Sequence, residues 1–175
     1  MSAKLNKFGF LLVLIAAFLS ENAAAARFDN KSIKGSYAAS IEGVYTFIDK
    51  KPVGLPAWFT GVVEADGKGK IASFTGTFNI GACIVVSHDG EGTYSVNKNG
   101  TAEATVELRA EPISAPSAEC PDEVIRILAS MPMMNTVKFS LAIQNSRAVY
   151  GSIVSKTDPT GKAVSFGGKL TAYKQ

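Results

Sequence analysis

Between Thr101 and Ala110 apolar and polar side chains alternate without a break. Ala102, Ala104, Val106, Leu108 and Ala110 fall on one parity, and Thr101, Glu103, Thr105, Glu107 and Arg109 on the other. A period of two marks a strand with one face in a core and the other in water. The same alternation places Tyr37, Ala39, Ile41, Tyr45 and Phe47 on one face, as it does Ala72, Phe74, Phe78 and Ile80, and Val137, Phe139, Leu141 and Ile143. Val164, Phe166, Leu170 and Ala172 form a last inward row that includes Gly168. Asp66-Gly67-Lys68-Gly69, Lys98-Asn99-Gly100 and Asp158-Pro159-Thr160-Gly161 each stand between two such runs. Their Gly and Asn residues supply the positive φ that tight hairpins need, so three hairpins are predicted.

The runs amount to eight or nine strands joined by short turns, with no helices between them to make parallel pairs. The predicted fold is all-β: an antiparallel up-and-down barrel with one short helix in a long loop. Closure removes the edge strands that would otherwise pair with neighbours. A two-sheet sandwich stays open as the other closure. The pattern breaks from Glu111 to Asn135, where Pro112, Pro116, Pro121 and Pro132 rule out a continued ladder. Within it, Pro121 to Ala129 reads as a short helix, with Pro at its first position, acids in the first turn and apolar residues beyond. With Met131, Met133 and Met134 after it, that helix is expected either to cap a barrel mouth or to pack along the barrel as part of a long loop.

The N-terminus changes what must be counted. Lys4 and Lys7 precede an apolar run from Phe8 to Leu19, and Ala24-Ala25-Ala26 then offers a small-residue cleavage site. This reads as a signal peptide at 1–26, because the run is too short for a spanning helix of roughly 20 residues. A single barrel domain at 27–175 is left, exported to a periplasmic or extracellular space. Loss of Lys4, Lys7 and Glu21 takes the formal net charge from +3 to +2, too little to steer the chain to nucleic acid. No stable membrane insertion is expected after cleavage. An outer-membrane barrel would share the alternation with its faces exchanged. Cys83 and Cys120, the proline-rich excursion and the Tyr173-Lys174-Gln175 end speak against it. In an oxidising compartment Cys83 and Cys120, the only two cysteines, are expected to form a disulfide.

Candidate chemistry is sparse. One His and two Cys cannot assemble the usual zinc ligand set, and no metal or cofactor is expected. His88 beside Asp89 suggests an acid/base pair. Neighbouring strand residues point to opposite faces, however, and Asp89-Gly90-Glu91-Gly92 reads as a turn, so His88 is expected as an exposed turn residue. Glu103 and Glu107 share a face with Thr101, Thr105 and Arg109, which reads as a solvated surface. No G-x-S-x-G, H-E-x-x-H or Walker-type run occurs, and no catalytic residue is assigned. Asn30-Lys31-Ser32 and Asn99-Gly100-Thr101 match the glycosylation sequon.

The interior carries more information. Phe47, Phe74, Phe78, Tyr94, Phe139 and Phe166 mix there with small Ala39, Gly43, Ala72, Gly76, Ala102, Ala104 and Gly168. Large and small side chains can interlock, or they can leave room for one small ligand. Parity fixes direction but not volume. The six aromatics are the candidate pocket residues.

Ile33-Lys34-Gly35-Ser36-Tyr37 resembles the Gly-x-Trp start of lipocalins, with Tyr in place of Trp. The Ala65-Asp66-Gly67 turn leading to Gly76-Thr77-Phe78, and Gly92-Thr93-Tyr94, are similar to the Gly-Thr-aromatic strands of avidin-like barrels. Both families are calycins, and allene-oxide-cyclase-like barrels share the general shape. At superfamily level the resemblance implies a barrel that holds a ligand. Trp58 is the single Trp, whereas an avidin-type biotin site is built from several. The expected function is non-enzymatic binding of a small apolar ligand. The alternatives are a barrel isomerase or cyclase and a structural or interaction module of the cell envelope.

Overall fold

Eight antiparallel strands lie side by side in chain order, and the first pairs with the last. They are β1 (Lys34–Phe47), β2 (Val53–Asp66), β3 (Lys70–Ile80), β4 (Ile84–Val96), β5 (Thr101–Pro112), β6 (Met134–Asn145), β7 (Ala148–Thr157) and β8 (Val164–Lys174). The computed structural model describes residues 28–47, 53–81, 83–114, 116–129, 134–145, 147–157 and 164–175. The expected signal peptide at 1–26, the expected turn at Asp158-Pro159-Thr160-Gly161, Met131 and Met133, and the side chains of Phe47 and Phe166 lie outside the described residues. β1 and β8 pair from Tyr37 opposite Lys174 to Phe47 opposite Val164, so the sheet closes as a barrel and not as a sandwich.

Where the alternation is clean the strand behaves as it dictates. On β5, Ala102, Ala104, Val106 and Leu108 are buried while Glu103, Glu107 and Arg109 are exposed. Around the barrel the buried rows are apolar save for Asn135, and outward positions carry Ser40, Thr60, Thr77, Glu91, Glu107 and Lys138. The faces are thus the reverse of a lipid-embedded barrel.

On β3 the expected row needs a correction. Ala72 is exposed, and Ile71 is buried in the same row as Phe74, Phe78 and Ile80. The cause is a bulge: Ile71 pairs with Gly92 and Phe74 with Gly90, so Ala72 and Ser73 together face one residue of β4. The extra residue resets the parity and bends the strand. A second correction concerns the excursion. The ladder continues to Pro112 opposite Val86, and β6 has already begun at Met134 opposite Arg109. Pro112 is tolerated because it ends the strand, where a missing donor matters least.

One close approach bends the wall. Gly61 and Gly76 pair across β2 and β3, and a Cβ on either would collide with the opposite backbone and with the Phe59 ring. Only glycine lets the two backbones and that ring meet there.

The two ends of the barrel differ. At the floor a 3-10 turn (Asn30–Ser32), capped by the Asp29 carboxylate, closes the bottom. Tyr94 Oη donates to Ile33 O at 2.7 Å with Asn30 O at 3.0 Å, and Val96 N donates to Asn30 Oδ1 at 2.9 Å. At the rim lies the excursion with its helix α1 (Asp122–Ala129), whose Val124 is fully buried. Pro121 O accepts from Val124 N and Ile125 N. Just before α1, Cys120 is disulfide-bonded to Cys83 in the turn after β3, with Cα atoms 4.9 Å apart. Ser117 N donates to Cys83 O at 2.8 Å and Ile113 N to Val85 O at 2.9 Å, which tie the excursion to β4.

Candidate functional site

The inward rows meet at mid-height in a layer of three rings. Phe59 of β2 and Phe74 of β3 have centroids 4.9 Å apart, and Phe74 and Phe139 of β6 are 6.2 Å apart, with 28° between the planes in both pairs. Because β6 lies across the barrel from β2 and β3, this stack spans the interior. Phe74 and Phe139 wall a chamber on each side of it.

The lower chamber, toward the floor, has a volume of about 60 Å³. Ile33, Tyr37, Ile71, Ala104, Leu141 and Ala172 are among its walls, which are apolar throughout. Two tyrosines border it without offering it a hydroxyl. Tyr94 Oη is committed to the floor carbonyls. Tyr37 Oη is buried and makes no hydrogen bond of good geometry among the described residues. Desolvation pushes both phenols above the ordinary tyrosine pKa; the Lys34 amide opposes this weakly at Tyr37, as the Gly67 and Gly69 amides do at Tyr94. Both therefore stay neutral at physiological pH.

The upper chamber, toward the rim, has a volume of about 40 Å³. Ile41, Phe78, Leu108 and Ile153 line it together with two polar side chains, His88 of β4 and Asn135 of β6. The His88 ring meets Phe78 edge-on at 5.6 Å, and Asn135 is buried opposite Leu108. The expected exposed-turn position of His88 is corrected here. β4 runs unbroken from Ile84 to Val96, and Gly90 and Gly92 press against the Glu107 and Thr105 carbonyls of β5. Those glycines serve close strand contact and make no turn. Asp89 and Glu91 face outward while His88 lines the interior, so no His88–Asp89 pair forms.

Among the sequence candidates, Phe74 and Phe139 wall both chambers, Phe78 the upper and Tyr94 the lower, while the side chains of Phe47 and Phe166 are outside the described residues. Phe59, His88 and Asn135 also line the upper chamber and are not pocket candidates in the sequence, where His88 is weighed only as an acid/base residue. The signal for His88 was its parity with Val86 and Tyr94; for Phe59 it was parity with Ala57 and Val63. Asn135 gave no such signal, because a polar residue at a strand start reads as loop.

Elsewhere chemistry is thin. Glu103 and Glu107 are exposed on β5. Asn99 accepts from Thr101 N and Thr101 Oγ1 in an exposed turn, whereas Asn30 is bound into the floor. Among the described residues no group of three His, Cys, Asp or Glu side chains comes together as a metal site. Comparison of the chain with protein-family models, with curated proteins and with solved structures finds no match, so the site is read from its own residues.

Proposed function

We propose that this chain is an exported, non-enzymatic binding protein of calycin type that takes a small, mainly apolar ligand inside its barrel. The observation that carries the reading is the lower chamber. It is several times the space one water needs, and its apolar walls give water no hydrogen-bond partners. At about 60 Å³ it is far below the 300 Å³ or more that a drug-sized ligand takes. The ligand class is correspondingly small. The Cys83–Cys120 bond supports export. The polar outer face supports a barrel that sits in water. The calycin assignment rests on the Gly35-Ser36-Tyr37, Gly76-Thr77-Phe78 and Gly92-Thr93-Tyr94 motifs.

A second reading, an interaction module with a solid core, is favoured by the ring layer that fills mid-barrel and by an exposed apolar patch. Trp58 is 45% and Val44 49% exposed, on adjacent strands with Pro56 beside them. Native mass spectrometry of protein purified from its own host separates the two. A retained small molecule, lost on denaturation, is the result expected for binding. The apo mass alone, from freshly isolated protein, would overturn it in favour of the interaction module.

A further inference from the structure

The β4–β5 hairpin turns through Asn97-Lys98-Asn99-Gly100-Thr101, and its hydrogen bonds converge on one side chain. Asn97 N donates to Thr101 O at 2.8 Å and Gly100 N to Asn97 O at 3.0 Å, while Gly100 O accepts from Ile143 N at 2.8 Å. Within this frame Asn99 Oδ1 accepts two hydrogen bonds, from Thr101 N at 3.1 Å and from Thr101 Oγ1 at 2.8 Å. The same Thr101 hydroxyl accepts from Asn97 Nδ2 at 3.0 Å, which strengthens it as a donor. A side-chain oxygen bonded to the amide two residues on folds the carboxamide back over the peptide in between. That peptide's nitrogen belongs to Gly100, where no Cβ crowds the approach. Asn99 is exposed, so water reaches the carboxamide.

We infer that Asn99-Gly100 is a self-modifying site, at which this turn promotes its own deamidation. Gly100 N bonds to Asn99 Cγ, and negative charge gathers on Asn99 Oδ1 as the tetrahedral centre forms. The Thr101 amide and hydroxyl already donate to that oxygen, so they serve as an oxyanion hole. The folded turn also supplies proximity, because nucleophile and carbonyl carbon are held in one short segment. The proton of Gly100 N, released from Asn97 O, passes through solvent to Asn99 Nδ2; the Cγ–Nδ2 bond breaks, ammonia leaves and a five-membered imide remains. Water then opens the imide to aspartate or isoaspartate. The aspartate product keeps both bonds from Thr101, since a carboxylate accepts where the carboxamide oxygen did. Each conversion places one negative charge beside exposed Lys98 at the floor end of the barrel, whatever the interior holds.

Peptide mapping of the full protein, incubated at neutral pH from fresh isolation, follows Asn99 through the mass gained when amide becomes carboxylate. Thr101→Val removes the hydroxyl donor and keeps a β-branched residue at the exposed start of β5. It should slow conversion of the folded protein by about fivefold to tenfold, the worth of one hydrogen bond to the developing charge. Thr101→Ser, which restores the hydroxyl, should recover most of the rate. In guanidinium, where the turn is lost, the parent chain and Thr101→Val should react alike. Asn99→Asp supplies the mass and charge standard for the product, and circular dichroism checks that each variant keeps the barrel. Equal rates for folded parent and folded Thr101→Val would overturn the inference. So would a folded parent that keeps Asn99 intact while the unfolded chain deamidates, because the turn would then protect the amide and not activate it. None of these outcomes bears on ligand binding, which native mass spectrometry reads separately.

Discussion

Tyr37 and Tyr94 are both buried phenols at the floor, and they are held differently. Tyr94 Oη anchors the 3-10 turn through the Ile33 and Asn30 carbonyls, whereas Tyr37 Oη has no bond of good geometry among the described residues. Tyr94→Phe should therefore cost about 1 kcal/mol. Tyr37→Phe should be neutral or slightly stabilising, because it removes a desolvated hydroxyl that gains little. Urea midpoints of the two variants check the contrast, and equal losses would contradict it. Asp66, half-buried in the β2–β3 turn, has a defined pH signature. Backbone amides of Lys68, Lys70 and Gly69 donate to one of its oxygens and hold its carboxyl below the ordinary value. A depressed folded pKa contributes stability that is complete above the unfolded pKa of about 3.9 and is lost as pH falls through the folded value. Asp66→Asn should flatten that part of the acid limb in a plot of Tm against pH, leaving its alkaline side unchanged.

At the scale of elements, legibility followed how far the backbone let parity run. β5 alternates without interruption and was plain in the sequence to within two residues of its end. β3 was readable as a strand but not in its row, because the bulge at Ala72 and Ser73 depends on pairing with β4, which no local pattern encodes. Asp89 to Gly92 reads as a turn in the sequence and is continuous strand in β4, since glycines such as Gly90 and Gly92 look alike whether they reverse the chain or admit a neighbouring backbone. The excursion is the element with the clearest test. Its bond to the turn after β3 closes a separation of 37 residues, for which loop entropy gives about 4 kcal/mol. The Cys83→Ala, Cys120→Ala double variant should lose up to that amount in a guanidinium titration while its far-ultraviolet circular dichroism stays that of the barrel. Proteolysis should move to the 116–129 segment. An unchanged midpoint would show that the hydrogen bonds to Cys83 and Val85 suffice to hold it.

For the whole molecule, period-two rows and hairpin turns implied closure, and β1 pairing with β8 delivers it. The volume inside was not legible. It depends on how Phe59, Phe74 and Phe139 stack across the barrel from strands far apart in the chain, and on how closely Gly61 and Gly76 let the wall approach. The result is a barrel mostly filled by its own side chains, with two small chambers of unlike polarity. A crystal of the protein pressurised with xenon tests this most directly, since xenon enters dry apolar cavities. One ordered site is expected between the phenylalanine layer and the floor, in contact with Phe74, Phe139 and Ala104. A lower interior without xenon and filled by repacked side chains would contradict the two-chamber barrel, as would a single continuous cavity with no ring layer across it.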